Sequence, residues 1–326
     1  MRVHAFLVKT AFGIIAFLLL WVTAGTAGFP ERPIQALVGW SVGSLQDTVD
    51  RAVAKPLSKI LKQPVIVQNV PGGGGALVLG RVKTEKPDGY TLFATGMPSY
   101  SQVPWTRAVP YDPLKDFAYL ASQAANEHYL LCRSDSSFKT FEELIQHAKK
   151  NPKKVTYGTT GVGTPMHIMM EYLAWKENLQ WIHVPYGSGP EVTSALLGKH
   201  VELEVMTCGP ELEYVKTGRF RPLLCLNDKR MEELPDLPTV LEKGYDFTCG
   251  SCGNWTVPAK TPKDIQKILE KALLQSIADP EVKEVVKRLN KKNILLNSEA
   301  TTKAVIEDYQ KFGELMKKFG LGIFKK

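Results

Sequence analysis

The chain has 326 residues, 44% of them hydrophobic and 23% charged, with a formal net charge of +8. The Lys and Arg residues are spread along it rather than clustered with aromatics, which argues against nucleic-acid binding, while a moderately cationic surface suits an anionic ligand. Beyond the N-terminus no apolar stretch approaches the roughly 20 residues that span a bilayer.

At the N-terminus, Arg2 and Lys9 precede an apolar run from Ala11 to Ala24 and the small residues Ala24-Gly25-Thr26-Ala27-Gly28. This is the layout of a secretory signal peptide, with residues 1–27 removed and the mature protein exported. No Cys lies near the cut, so a lipid anchor is not indicated. A single membrane anchor built on Ile14 to Val22 is the alternative, and it too leaves the rest of the chain outside the membrane. The remaining stretch of about 299 residues is long enough for two domains.

The predicted strands run Ile34 to Val38, Val65 to Gln68, Thr91 to Ala94, Tyr119 to Ala121, Tyr129 to Cys132, Lys154 to Gly158, Ile182 to Pro185, Val201 to Val205 and Pro222 to Leu226. Predicted helices fall between them at Asp47 to Leu61, Thr140 to Asn151, Pro165 to Asn178 and Pro190 to Leu197. Regular alternation of this kind predicts α/β lobes, each a doubly wound, mostly parallel sheet. The C-terminal end offers three helices, Pro262 to Ile277, Pro280 to Leu289 and Thr301 to Phe319, with one strand at Asn293 to Leu296. Too few strands remain there for a sheet, so this part is expected to return to the first domain. The expected division is residues 28–127 plus 248–326 for lobe 1 and 128–247 for lobe 2, with crossing segments near Glu127 to Arg133 and Phe247 to Val257 as the hinge.

Open α/β sheets bind ligands at the carboxyl ends of their strands. After the first strand, Gly39-Trp40-Ser41-Val42-Gly43-Ser44-Leu45-Gln46-Asp47 leads into a helix, where free N–H groups and the helix dipole suit a carboxylate. Asp47 is read as N-cap or ligand contact, and Trp40 as cleft lining or as cover for the domain edge. After the second strand, the glycines Gly72 to Gly75 permit close backbone approach, but neither the P-loop Lys-Ser/Thr nor the dinucleotide fingerprint follows. In the second lobe, Thr159-Thr160-Gly161-Val162-Gly163-Thr164-Pro165 repeats the strand, loop and helix arrangement, with His167 one turn inside. A fourth loop, Val184 to Pro190, offers Tyr186.

Five cysteines, Cys132, Cys208, Cys225, Cys249 and Cys252, permit at most two disulfides in an oxidising compartment. Cys249-Gly250-Ser251-Cys252 has redox or zinc spacing but stands as a lone pair, so a structural bridge or simple packing is expected. The chain has no Gly-x-Ser-x-Gly elbow, no His-Glu-x-x-His helix and no Cys/His cluster at metal spacing. An enzyme is therefore the minor alternative, and neither metal nor cofactor is expected.

Several motifs, in order, carry a resemblance: Gln68-Asn69-Val70-Pro71-Gly72-Gly73-Gly74-Gly75, Lys86-Pro87-Asp88-Gly89-Tyr90-Thr91-Leu92, Tyr111-Asp112-Pro113-Leu114-Lys115-Asp116-Phe117, His183-Val184-Pro185-Tyr186-Gly187 and Leu234-Pro235-Asp236-Leu237-Pro238-Thr239. From Pro30 to about Gly320 the chain resembles the Bug family, the periplasmic receptors of tripartite tricarboxylate transporters. The resemblance implies a two-lobed, Venus-flytrap periplasmic binding protein that closes on a small carboxylate. It assigns the grip to Ser41, Gly43, Ser44 and Asp47 of the first loop and to Thr159, Gly163 and Thr164 of the second lobe, with Gly73 at or beside the cleft. Trp40, Thr160, His167, Tyr186 and Met206 complete the candidate ligand-binding set.

Departures from the family pattern bear on the ligand. The usual Pro-Phe-x-Pro-Gly-Gly-x-x-Asp loop here has Gly39, Trp40, Val42 and Ser44, with Asp47 kept, and a Phe-Asp pair in the second lobe is replaced by Val205 and Met206. With Met166 beside His167, these changes imply a less polar cleft and a carboxylate with an apolar or aromatic body. The expected partners are inner-membrane transporter subunits or, alternatively, a membrane sensor kinase. The receptor itself is expected to be a monomer.

Overall fold

The computed structural model describes residues 28–320 and 322, so the expected signal peptide lies outside the described residues. In chain order the strands are β1 (Ile34–Val38), β2 (Val65–Asn69), β3 (Thr91–Gly96), β4 (Phe117–Asn126), β5 (His128–Arg133), β6 (Thr156–Thr159), β7 (Ile182–Pro185), β8 (Leu203–Thr207), β9 (Phe220–Cys225), β10 (Ser251–Pro258) and β11 (Lys292–Leu296). The helices are α1 (Leu45–Leu61), α2 (Ala76–Gly80), α3 (Met97–Ser101), α4 (Val103–Thr106), α5 (Phe141–Lys150), α6 (Pro165–Glu177), α7 (Gly189–Leu197), α8 (Leu212–Lys216), α9 (Lys263–Ile277), α10 (Pro280–Arg288) and α11 (Ser298–Phe319).

The strands form two sheets, ordered β11-β4-β10-β3-β1-β2 and β7-β6-β8-β5-β9, which gives an α/β molecule of two lobes. Helices cover both faces of each sheet. In the first lobe, Val49, Val53 and Leu57 of α1, four residues apart, are fully buried in a cluster with Ile34, Val38 and Trp255. Each such burial contributes about 1.5–3 kcal/mol. The opposite face gathers Leu37, Phe93, Tyr100 and Val305. In the second lobe, Tyr157, Leu203 and Val205 pack under α5 and α6, and Tyr129 and Leu131 pack under α7 and α8.

Both sheets are mixed, where mostly parallel sheets were expected. β1 runs parallel to β2 and β3, but β10 is antiparallel to β3 and β4, and β11 is antiparallel to β4. In the second sheet β6 is parallel to β7 and β8, while β5 is antiparallel to β8 and β9. The crossings cause this. β10 is the chain returning from the second lobe, and it wedges between β3 and β4 against their direction.

Glu127 alone separates β4 from β5, and on the return path Cys249 donates its N–H to Leu226 O at 2.7 Å just before β10 begins. Helix α11, expected within the first lobe, binds to both. Thr301 and Val305 are buried against the first sheet, whereas Phe312 and Met316 enter the second-lobe core and Phe319 packs at a tilt on Trp175, ring centroids 4.3 Å apart. A helix of 22 residues is about 33 Å long, so its buried face, interrupted by Asp308 where Ser101 and Gln102 bond to it, outruns one sheet and is covered by the other lobe. Among the described residues no helix is long and apolar enough to cross a membrane.

Candidate functional site

The loop between β1 and α1 is organised by its own polar groups. Ser44, rather than Asp47, is the N-cap: its hydroxyl accepts from the Asp47 N–H at 3.2 Å. The Asp47 carboxylate, 2% exposed, accepts from the Gly43 N–H at 2.8 Å, Asn69 Nδ2 at 2.6 Å and Arg51 Nε at 3.0 Å. Burial alone would raise its pKa, yet the hydrogen bonds from Asn69, Gly43 and Arg51 hold it below the usual Asp value. Asp47 therefore ties the loop to β2, and the groups left facing outward are Ser41, Val42 and Gly43, all exposed. Gly43 has φ of 78°, which only glycine adopts without strain.

Trp40 is half-buried. Its ring lies against Gly96 and the first-lobe core, its carbonyl accepts from Asn69 Nδ2 at 2.9 Å, and its indole N–H is buried without a hydrogen-bond partner. At the glycine turn, Gly73 is exposed. Gly75 (φ 89°) is buried so tightly that a Cβ there would lie 2.7 Å from Thr95 Oγ1 and against the Ser99 hydroxyl. This fastens the turn to the carboxyl end of β3.

The loop after β6 is equally self-bonded. Thr159, fully buried, meets His183 Nε2 at 2.8 Å and accepts from the Gly161 N–H at 3.2 Å. Thr164 caps α6 and donates to Gly161 O at 2.9 Å. His167 Nδ1 accepts from the Gly163 N–H at 3.1 Å, so its proton sits on Nε2, toward Glu171 at 3.9 Å. Burial lowers the pKa of His167, and burial together with the neighbouring His167 ring lowers that of His183 to about 4. Both rings are neutral at pH 7. Thr160 is half-buried and Val162 is 62% exposed at the loop tip.

Of the remaining candidates, Tyr186 adjoins the loop after β6, its N–H donating to Thr159 O at 2.9 Å. Met166 lies in the second-lobe core and lines no loop surface. Met206 is 6% exposed, with its methyl against Gly189. Tyr186 packs on Gly158. At the start of α7 the chain supplies its own anion: Glu191 accepts from the Gly187 N–H at 3.1 Å and the Ser188 hydroxyl at 2.9 Å. That helix start is thus already neutralised. Beneath it, Thr193 donates to the buried Glu204 at 2.8 Å, and burial pushes the Glu204 carboxyl up to about 8. Sequence reasoning missed Glu204, although an acid inside the apolar run of β8 was a signal.

The two lobes meet at these loops. Leu45, next to Ser44, lies against Gly209 beyond β8, and Asn290 donates to Gly209 O at 3.1 Å. Thr106 and Arg107, at the end of α4, lie against Gly163, and Arg107 Nη2 is 3.4 Å from Val162 O. The first-lobe and second-lobe candidates thus sit on opposite sides of one junction.

All five cysteines are free and buried, in keeping with packing rather than bridging. Cys249 belongs to the second-lobe core and Cys252 to a first-lobe cluster, on either side of the return crossing. Burial pushes the Cys252 thiol up to about 11 and Cys249 well above its ordinary value, the reverse of a reactive pair. No group of three or more His, Cys, Asp or Glu that could hold a metal occurs among the described residues.

Comparison with known proteins accords with this geometry. Residues 49–321 match the family model of the tripartite tricarboxylate transporter family receptor. A protein from the gbd 5' region of Cupriavidus necator is 36% identical over 294 residues, covering 90% of this chain and 89% of that one. The solved periplasmic binding protein BugD is 28% identical, with a TM-score of 0.77 over 90% of this chain and 99% of its own. A Rhodopseudomonas palustris protein, Rpa4515, solved with adipate, shares the fold at 20% identity, with a TM-score of 0.79 over 90% of this chain and 99% of that one. The chain belongs to the tripartite tricarboxylate transporter family receptors, which are periplasmic solute-binding proteins and not enzymes.

Proposed function

We propose that this receptor captures a small carboxylate with an apolar or aromatic body between its lobes and hands it to inner-membrane transporter subunits. The observation that carries the reading is the chemistry of the two facing loops. Each is braced by internal hydrogen bonds around a helix N-terminus, and each presents an apolar tip, Val42 at 74% and Val162 at 62% exposure. The hydroxyls of Ser41, Ser44 and Thr160, whose protons no loop bond uses, suit the carboxylate, and the valines suit the body. Ser41 and Ser44 would act from the first lobe and Thr160 from the second, while Gly43, Asp47, Thr159, Gly163, Thr164 and His167 hold the loops in shape. The hinge would run through Glu127 and residues 248–250, and residues 1–27 would direct export.

Such a receptor works by population shift, because a ligand that touches both lobes only when they are closed stabilises that state. The test is a titration series of adipate, benzoate, phenylacetate and citrate against the mature protein. Binding of the apolar acids in preference to citrate supports the reading. Tight citrate binding with none for the aliphatic and aromatic acids would sink it.

A further inference from the structure

We propose that Arg107 is a cross-cleft clamp, a first-lobe cation that pairs with the ligand carboxylate lying against the Thr160 to Thr164 loop of the second lobe. The inference rests on the receptor reading and deepens it, because it answers where the positive charge for an anionic ligand comes from. The second-lobe loop offers none. The Gly161 and Gly163 N–H groups already donate to Thr159 and His167, and the Thr164 hydroxyl donates to Gly161 O. The two imidazoles behind it are neutral. In the first loop, Arg51 is committed to Asp47 and Asn69.

Arg107 is placed differently. It follows α4, whose end is held by the Arg107 N–H donating to Val103 O at 3.2 Å and by the Trp105 indole donating to Tyr309 O at 2.9 Å. Its exposed side chain reaches over the junction, with Nη2 3.4 Å from Val162 O. A Cβ on Gly163 would meet that nitrogen at 3.4 Å and Thr106 at 3.5 Å, so a glycine there lets the guanidinium approach the loop backbone. No carboxylate pairs with Arg107 among the described residues. A 3.4 Å bond to a carbonyl is long and weak, whereas the planar fork of a guanidinium matches a carboxylate through two parallel bonds. Ligand arrival would exchange the first for the second. The cation and the loop belong to different lobes, so the pairing exists only when they are closed, and it adds directly to closure.

The test compares wild type with Arg107→Gln and Arg107→Lys by titration calorimetry, using whichever of adipate, benzoate and phenylacetate the wild type binds most tightly. Arg107→Gln is expected to lose about tenfold or more in affinity, Arg107→Lys to lose less, and the gap between wild type and Gln to narrow as salt is raised. The melting temperature without ligand should not change, because the side chain is exposed. Equal affinity of wild type and Arg107→Gln would overturn the clamp and leave the receptor reading intact. A loss that does not depend on salt would also overturn it, since it would mark a structural role. Failure of the wild type to bind any of the three acids would overturn both readings.

Discussion

Replacing Asp47 by Asn tests whether the first loop is built by its own buried carboxylate. The two side chains are nearly equal in shape, so packing is kept and only charge and acceptor capacity change. In the wild type, Asp47 Oδ1 accepts from Asn69 and Arg51, and Oδ2 accepts from Gly43 and Arg51. Whichever oxygen becomes an NH2 group then faces two donors. Hydrogen bonds to a charged group are worth about 1.5–3 kcal/mol, and Arg51, 44% exposed, recovers part of its loss from water. A destabilisation of about 2 kcal/mol is expected in urea denaturation followed by tryptophan fluorescence. The pH dependence has a definite sign. Asp47 titrates below its ordinary value of 3.8 in the folded state, so its contribution is complete above 3.8 and is lost as pH falls through the lower folded value. The gap between wild type and Asp47→Asn should therefore close in strong acid. A variant within about 0.5 kcal/mol of wild type, with a gap that does not vary with pH, would refute the bracing role.

Gly75→Ala should destabilise the protein by about 2 kcal/mol or more, read from the same denaturation curves, because a Cβ at φ 89° would meet Thr95 at 2.7 Å and the Ser99 hydroxyl. Gly43→Ala, with φ of 78° but nothing within 4 Å of a Cβ, should cost only about 1 kcal/mol of backbone strain. Thiol titration of the native protein should label none of the five cysteines within minutes and all five after denaturation without reductant. Fewer than five in the denatured chain would reveal a disulfide that the structure does not contain.

The alternation of strand and helix was legible because it is written locally. β1 is a short, mostly apolar run bounded by Pro33 and Gly39, and α1 carries apolar residues every fourth position behind a capping Ser. Strand direction was not legible, because β10 takes its direction from the route back out of the second lobe. The length of β4 was missed for a related reason. Its second half is polar, and Ser122 is tolerated inside only because Asn254 lies at 3.0 Å and Thr301 at 2.9 Å, partners more than a hundred residues away. In the site, sequence located the loops but could not separate residues that shape them from residues that face outward. Ser44 and Asp47 are both good caps, and their roles divide only once Asn69 and Arg51 are seen beside Asp47. Met166 looked like cleft lining because it precedes His167, but helix geometry turns adjacent residues to different faces, and it went to the core.

Small-angle scattering of the mature protein, with and without a saturating acid from the series, tests capture between the lobes most directly. The radius of gyration should fall on ligand addition, with the change saturating at the concentration set by the calorimetric affinity. Binding with no contraction, or contraction that fails to track occupancy, would contradict a ligand held jointly by the β1–α1 and β6–α6 loops.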